Sequence, residues 1–259
     1  MRLLSSRKIG ALLLLTVVLS GAAVAAGGCF YEVPVLMYHH VGVRNENPGE
    51  TVSPESFERQ MEFLRTHRYR VLGLGELVEA IKNKKPLPLK TVSITFDDGN
   101  LDNFSYAFPV LKNMGFPATV FMITSNINRD GGLSEEDLRI MDEAGVTIGS
   151  HTVHHAFLPE KTPEDARSEL ADSKQALEKV LGHPVTLFSY PAGGVTPQIR
   201  SWVEQAGYTG AVTTNYGKTK QDPYALHRIK ISESSGNLFN FWAKVSGYYQ
   251  CGKKRVQAK

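Results

Sequence analysis

Cysteine and tryptophan are scarce: the 259 residues hold two of each. Cys29 and Cys251 stand near opposite ends, so one bond tying the termini is the most they allow, and lipidation of Cys29 would exclude even that. A basic surplus is missing as well. The formal charge of +3 arises within residues 1–28, which carry three basic side chains and no acidic one, so the remainder is neutral. That argues against an electrostatic nucleic-acid binder, which needs a basic face. The cluster Lys253-Lys254-Arg255 reads as a solvated, frayed end. No Ser/Gly-rich linker or low-complexity tract divides the chain. With 42% hydrophobic and 21% charged residues the composition is globular, and residues 29–259 suffice for one barrel-sized domain.

Residues 1–28 are different in kind. Arg2, Arg7 and Lys8 precede an apolar stretch from Ile9 to Ala26, then small residues and Cys29, the order of a secretory leader. Ala23-Val24-Ala25 offers a cleavage site, and Ala26-Gly27-Gly28-Cys29 loosely fits a lipoprotein box. Left uncut, the 18 residues from Ile9 to Ala26 would serve as an N-terminal membrane anchor. Each reading exports the body of the chain, to the extracellular space or the cell envelope.

Helical and strand patterns then alternate. Ser53-Pro54-Glu55 predicts a helix start, with Phe57, Met61 and Leu64 on one face. Further helices are predicted over Glu76–Lys82, over Asn100–Met114 with Pro109 kinking or opening it, over Ser134–Ala144, from Thr162 to Leu181, and over Pro197–Ala206. Gly115, Gly145, Gly182 and Gly207 stand where left-handed caps belong, and strands follow within a few residues: Ala118–Ile123, Val146–Ser150, Val185–Ser189 and Thr209–Thr213. These links are short. The strand-to-helix links Gly42–Val52, Thr124–Gly132, His151–Thr162 and Thr214–Tyr224 are long and polar. That asymmetry assigns the elaborate loops to the C-terminal face of a parallel sheet. The expected fold class is α/β, a TIM-like barrel of parallel strands with outer helices rather than a doubly wound sheet.

Four reactive runs each follow an apolar, strand-like run: Tyr38-His39-His40, Asp97-Asp98-Gly99, His151-Thr152-Val153-His154-His155 and Tyr190-Pro191-Ala192-Gly193. Adjacent residues at a strand end point to opposite sides, so Asp97 and Asp98 can take separate tasks, one ligating a metal and one accepting a proton. Alone, Asp-Asp-Gly is equally good turn chemistry. His151 and His155 have the spacing of metal ligands, with His154 competing for the second place, and a carboxylate would complete a three-ligand set open to water. The same set occurs in non-haem iron oxygenases, which an α/β fold disfavours.

Thr95-Phe96-Asp97-Asp98-Gly99, Ser150-His151-Thr152-x-x-His155 and Phe188-x-Tyr190-Pro191-x-Gly193 are similar to the first three motifs of the NodB-homology polysaccharide deacetylases, carbohydrate esterase family 4. The resemblance covers about residues 33–232. It implies a distorted (β/α) barrel that removes acetyl groups from N-acetylglucosamine-containing polysaccharide of the cell wall or an exopolysaccharide. It further implies a divalent metal, zinc first with cobalt and nickel as alternatives, held by Asp98, His151 and His155 beside Asp97 as base. Ser189 stands where many members carry the Arg that holds the catalytic Asp; Arg228 could substitute or serve as a plain salt bridge. The Leu-x-His motif that supplies the acid in many members has no counterpart after residue 228. Instead Val35-Leu36-Met37-Tyr38-His39-His40 resembles the branch with an N-terminal Tyr-His element, the poly-N-acetylglucosamine deacetylases, which implies His39 as acid and His40 as runner-up. On this reading the backbone N–H of Tyr190 serves the oxyanion, and Tyr38, Tyr190 and Pro191 wall the acetyl methyl. The rival readings are a non-catalytic glycan-binding relative and a metal-dependent hydrolase of another bond, such as a phosphoester.

Overall fold

The computed structural model describes residues 31–42, 48–214 and 222–251. The leader and Cys29, parts of the Gly42–Val52 and Thr214–Tyr224 links and the basic tail lie outside the described residues. Among those described, no helix is long and apolar enough to cross a membrane. Cys251 is disulfide-bonded.

Seven parallel strands close a barrel: β1 (Val35–Tyr38), β5 (Thr91–Phe96), β6 (Thr119–Met122), β7 (Thr147–Ser150), β8 (Leu187–Ser189), β9 (Gly210–Thr213) and β10 (Leu226–Lys230). Closure falls on β1, whose Val35 registers with Ser93 of β5 on one side and Arg228 of β10 on the other. Two short strands, β2 (His40–Val41) and β3 (Thr51–Val52), pair with each other, and β4 (Arg70–Val71) joins the first residues of β5. The expected barrel is present.

Among the described residues seven α-helices follow in chain order: α1 (Pro54–Thr66), α2 (Leu74–Lys82), α3 (Phe108–Met114), α4 (Glu135–Glu143), α5 (Pro163–Leu181), α6 (Pro197–Gln205) and α7 (Leu238–Val245). Ser53 caps α1, Ser134 and Asp137 form a capping box on α4, and Thr162 caps α5. Each of the four predicted cap glycines has φ between 64° and 91°, the left-handed region open to glycine without a Cβ clash. Pro109 opens α3 rather than kinking it. Ahead of it Asn103–Ala107 forms a π-helical turn, in which the Phe108 N–H reaches the Asn103 carbonyl. Helix α7 was not expected, although Asn237 caps it by accepting the Phe239 N–H at 2.8 Å, and Phe241 and Val245 share its buried face.

Alternation along the strands separates two apolar layers. Leu36, Tyr38, Val92, Ile94, Phe96 and Phe188 face the helices. Val35, Phe121, Leu187, Val212 and Leu226 face inward and meet Leu72, Leu74, Leu77 and Val78, so that α2 closes the floor at the strands' N-terminal ends. Towards the other end the interior turns polar, with Ser93, Thr95, Thr119, Ser189 and Arg228 all buried. Buried hydroxyls and a guanidinium in place of Leu or Val weaken a core unless they hold something. The close fit gives a test: a Cβ on Gly149 would lie 2.6 Å from the Phe121 ring and 3.0 Å from the Leu187 carbonyl. Gly149→Ala should therefore cost about 1–3 kcal/mol in urea denaturation.

Candidate metal and catalytic centre

The inward positions of β5 are Ser93, Thr95 and, one step past its end, Asp97. Arg228 reaches across from β10 and grips Asp97 with both arms, Nη1 to Oδ1 at 2.6 Å and Nη2 to Oδ2 at 2.5 Å. The same nitrogens donate to Thr95 Oγ1 at 3.2 Å and Ser189 Oγ at 2.9 Å, and the guanidinium lies 5.6 Å from the Phe121 ring. Both partners are essentially inaccessible. Burial alone would raise the Asp97 pKa, but Arg228, with His151 and His39 behind it, holds the carboxyl well below the usual range. Of the two roles open to Arg228, the structure places it on Asp97, and Ser189 acts as its support.

Simple alternation would turn Asp98 outward. It does not, because Asp98 adopts φ +73°, which returns its carboxylate to the barrel mouth, and Gly99 continues at the same φ. Asp98 Oδ1 is buried and has no hydrogen-bond partner. It lies 3.6 Å from His151 Nε2 and 3.8 Å from His155 Nε2. Burial, reinforced by the Asp97 charge, raises the Asp98 carboxyl to about 7.

The histidine run is a loop rather than a helical turn. Thr152 at φ +65° and His155 at φ +54° fold it back, so that the two imidazoles stand 4.8 Å apart, edge to face. His151 Nδ1 donates to the Ser189 carbonyl at 2.8 Å, which leaves Nε2 with its lone pair towards Asp98. Burial lowers His151 to about 4, the neutral form that a metal needs. His154 turns away to the surface, with Nδ1 2.8 Å from Glu169 Oε1. The second carboxylate oxygen of Glu169 accepts the N–H groups of Val153 and His154, so α5 holds the loop by its backbone. Among the described residues Asp98, His151 and His155 bring one donor atom each within 4.8 Å of one another. An orphaned carboxylate oxygen facing two imine nitrogens is a good fit for a divalent cation of the zinc type.

At the mouth His39 continues the inward positions of β1. Its Nδ1 is buried without a partner, and burial lowers its pKa against the pull of Asp97. The Glu50–Lys230 ion pair at 2.9 Å is among its charged neighbours. His40 is engaged otherwise, with Nδ1 2.8 Å from Asp102 Oδ2, a bond that raises its pKa.

Two expectations for the substrate wall need correction. The Tyr38 ring faces the helices, stacked on Phe96 and edge-on to Phe57, with its hydroxyl donating to Gln60 Oε1 at 2.8 Å. The Tyr190 ring also points outward, its hydroxyl on the Tyr224 carbonyl at 2.9 Å. Both lie on the outward phase of their strands and are wholly buried, so neither can meet an acetyl group. The Tyr190 N–H is occupied too, donating to the Val212 carbonyl at 3.0 Å. Pro191 is buried at the start of the turn that follows, where Ala192 is exposed at φ +50°. Among the described residues the Ala192 N–H meets no acceptor. Sequence reasoning overlooked Ala192, Glu169 and Asp102 because each acts through its backbone or a distant partner.

Substitutions at Arg228 and Glu169 probe these supports. Asp97 gains its pairing energy above its unfolded pKa near 3.9 and loses it as pH falls through the lower folded value. Arg228→Met should therefore destabilise the metal-free protein by about 3–5 kcal/mol near pH 7, and by less near pH 4, where Asp97 can protonate. Urea titrations at both pH values measure the gap. Glu169→Ala should weaken zinc binding about 10–100-fold in chelator competition with little change in the apo melting temperature, and Glu169→Gln should restore most of it.

The profile of the polysaccharide deacetylase family matches residues 84–211. Bacillus subtilis YxkH, which carries the same family name, is 37% identical over 211 residues, spanning 80% of this chain and 75% of that protein. The poly-beta-1,6-N-acetyl-D-glucosamine N-deacetylase of Staphylococcus aureus is 26% identical over 201 residues, 71% of this chain and 69% of its own. Among solved structures, the Streptococcus pyogenes deacetylase PplD in complex with acetate superposes with a TM-score of 0.77 at 27% identity, covering 84% of this chain and 99% of that one. With the barrel, the ordered motifs and the histidine–carboxylate cluster in one place, the chain belongs to the NodB-homology polysaccharide deacetylases, hydrolases of the acetamide bond.

Proposed function

We propose that this chain removes N-acetyl groups from an N-acetylglucosamine-containing polysaccharide outside the cytoplasm, with a divalent metal, zinc first, held by Asp98, His151 and His155. The observation that carries the reading is the partnerless Asp98 oxygen facing two imidazole nitrogens, with Asp97, 3.8 Å from His151 Nε2, already gripped by both arms of Arg228. The relative acting on poly-beta-1,6-N-acetyl-D-glucosamine supports the substrate class.

When bound, the cation would acidify water and polarise the acetamide oxygen. The residues supply the rest. Asp97, held ionised by Arg228, accepts the proton of the attacking water. Its depressed pKa makes it a modest base, so its contribution is chiefly a fixed position and a fixed charge. As the carbonyl carbon turns tetrahedral, the Ala192 N–H, rather than that of Tyr190, is the donor available to the oxyanion. His39, at the mouth with one ring nitrogen uncommitted, passes a proton to the departing amine, and acetate and a glucosamine unit leave. His40 is the weaker candidate because Asp102 already binds its Nδ1.

Asp97→Asn tests the assignment. It should keep its zinc, read as metal per chain, and release acetate from N-acetylglucosamine oligomers about 10²–10⁴-fold more slowly. Undiminished acetate release would remove Asp97 as base, and a zinc-free variant would place it among the ligands instead.

A further inference from the structure

Helix α7 presents two faces. Phe241 and Val245 are buried against the barrel's helical layer, while Leu238, Phe239 and Trp242 are exposed, Phe239 by 70% and Trp242 by 49%. The Phe239 and Trp242 rings lie 5.6 Å apart and form one apolar strip. Tyr248, also exposed, extends it past the end of the helix and packs edge-on against Tyr31 at 5.9 Å. No acidic residue lies between Leu238 and Lys259, and Lys253-Lys254-Arg255 follow closely.

Tyr31 is where the chain enters the described body, at the barrel floor. Its hydroxyl donates to the Thr91 carbonyl, and the next residue, Glu32, donates its N–H to Gly247. In sequence, the apolar stretch ending at Ala26 lies five residues before Tyr31, a span of at most about 17 Å. A membrane entered by that stretch would thus lie within reach of the α7 strip.

We propose that the exposed α7 strip, Leu238, Phe239 and Trp242 with Tyr248, rests in the interface of an anionic bilayer beside the N-terminal anchor. Trp and Tyr favour the headgroup level, Leu and Phe reach the acyl boundary, and the basic run that follows in sequence suits a negative surface, while Glu55, Glu58 and Glu62 border the strip at Leu238. The metal cluster sits at the opposite pole of the barrel from Tyr31, so the mouth stays open to polymer while the flank is held. The inference needs the anchor and not the deacetylase assignment.

Trp242 is its own reporter. The chain holds two tryptophans, so Trp202→Phe leaves Trp242 alone. The full-length variant is reconstituted into phosphatidylcholine vesicles containing one quarter phosphatidylglycerol, with plain or acyl-brominated lipid. Trp242 emission should fall at least twofold in the brominated vesicles. Leu238→Ser with Phe239→Ser should abolish that loss while acetate release from soluble oligomers stays unchanged. Equal emission in the two vesicles would overturn the proposal. So would a Trp242 shift on adding N-acetylglucosamine oligomers without lipid, which would make the strip a glycan platform.

Discussion

The site depends on a carboxylate and a guanidinium buried side by side, Asp97 and Arg228. Two adjacent aspartates at a barrel mouth repel each other where the dielectric is low, and without compensation one would take up a proton or turn away. While burial and the Asp97 charge raise the Asp98 carboxyl to about 7, Arg228 keeps Asp97 the ionised member through two parallel hydrogen bonds. Its cost is a polar layer inside the barrel, Thr95 and Ser189, which a purely structural core would fill with aliphatic side chains. Removing either charge leaves the other buried and unpaired, which is why so small a group of atoms constrains so much.

A second constraint is backbone strain in the loops that follow the barrel strands. Asp98, Thr152, His155 and Ala192 all adopt positive φ without being glycine. Each such residue costs about 1–3 kcal/mol; at Asp98 and His155 the turn brings a side chain to the cluster, and at Thr152 it folds the loop, with the hydroxyl accepting the Ala156 N–H. Strands fix where the loops begin, hydrogen bonds to the Glu169 carboxylate and the Ser189 carbonyl fix how they fold back, and the strain is held by the barrel beneath. The result is a donor set whose geometry the barrel and its loops hold.

Much of this was legible in the chain. Gly caps and the contrast of short and long links indicated the barrel, because both follow from local rules that tertiary packing seldom overrides. Asp97, Asp98, His151 and His155 were visible through spacing and motif. Tyr38 and Tyr190 were misplaced because residue type suggested an aromatic wall, whereas the two-residue period of β1 and β8 sends both rings to the helices. The oxyanion donor shifted from Tyr190 to Ala192 for a related reason: no sequence pattern tells whether a given N–H is already used in a ladder. Arg228 could be named but not assigned, since its partner is 131 positions away in sequence. Helix α7 carried readable signals, an Asn237 cap and Phe241 and Val245 four apart on one face, which the large aromatics on its other face obscured.

Anomalous diffraction from a zinc-loaded crystal tests the central claim most directly. The account predicts one peak at about 2.0–2.2 Å from an Asp98 oxygen, His151 Nε2 and His155 Nε2, with Asp97 still held by both arms of Arg228. A peak bonded to Asp97, or one centred away from those three side chains, would contradict it.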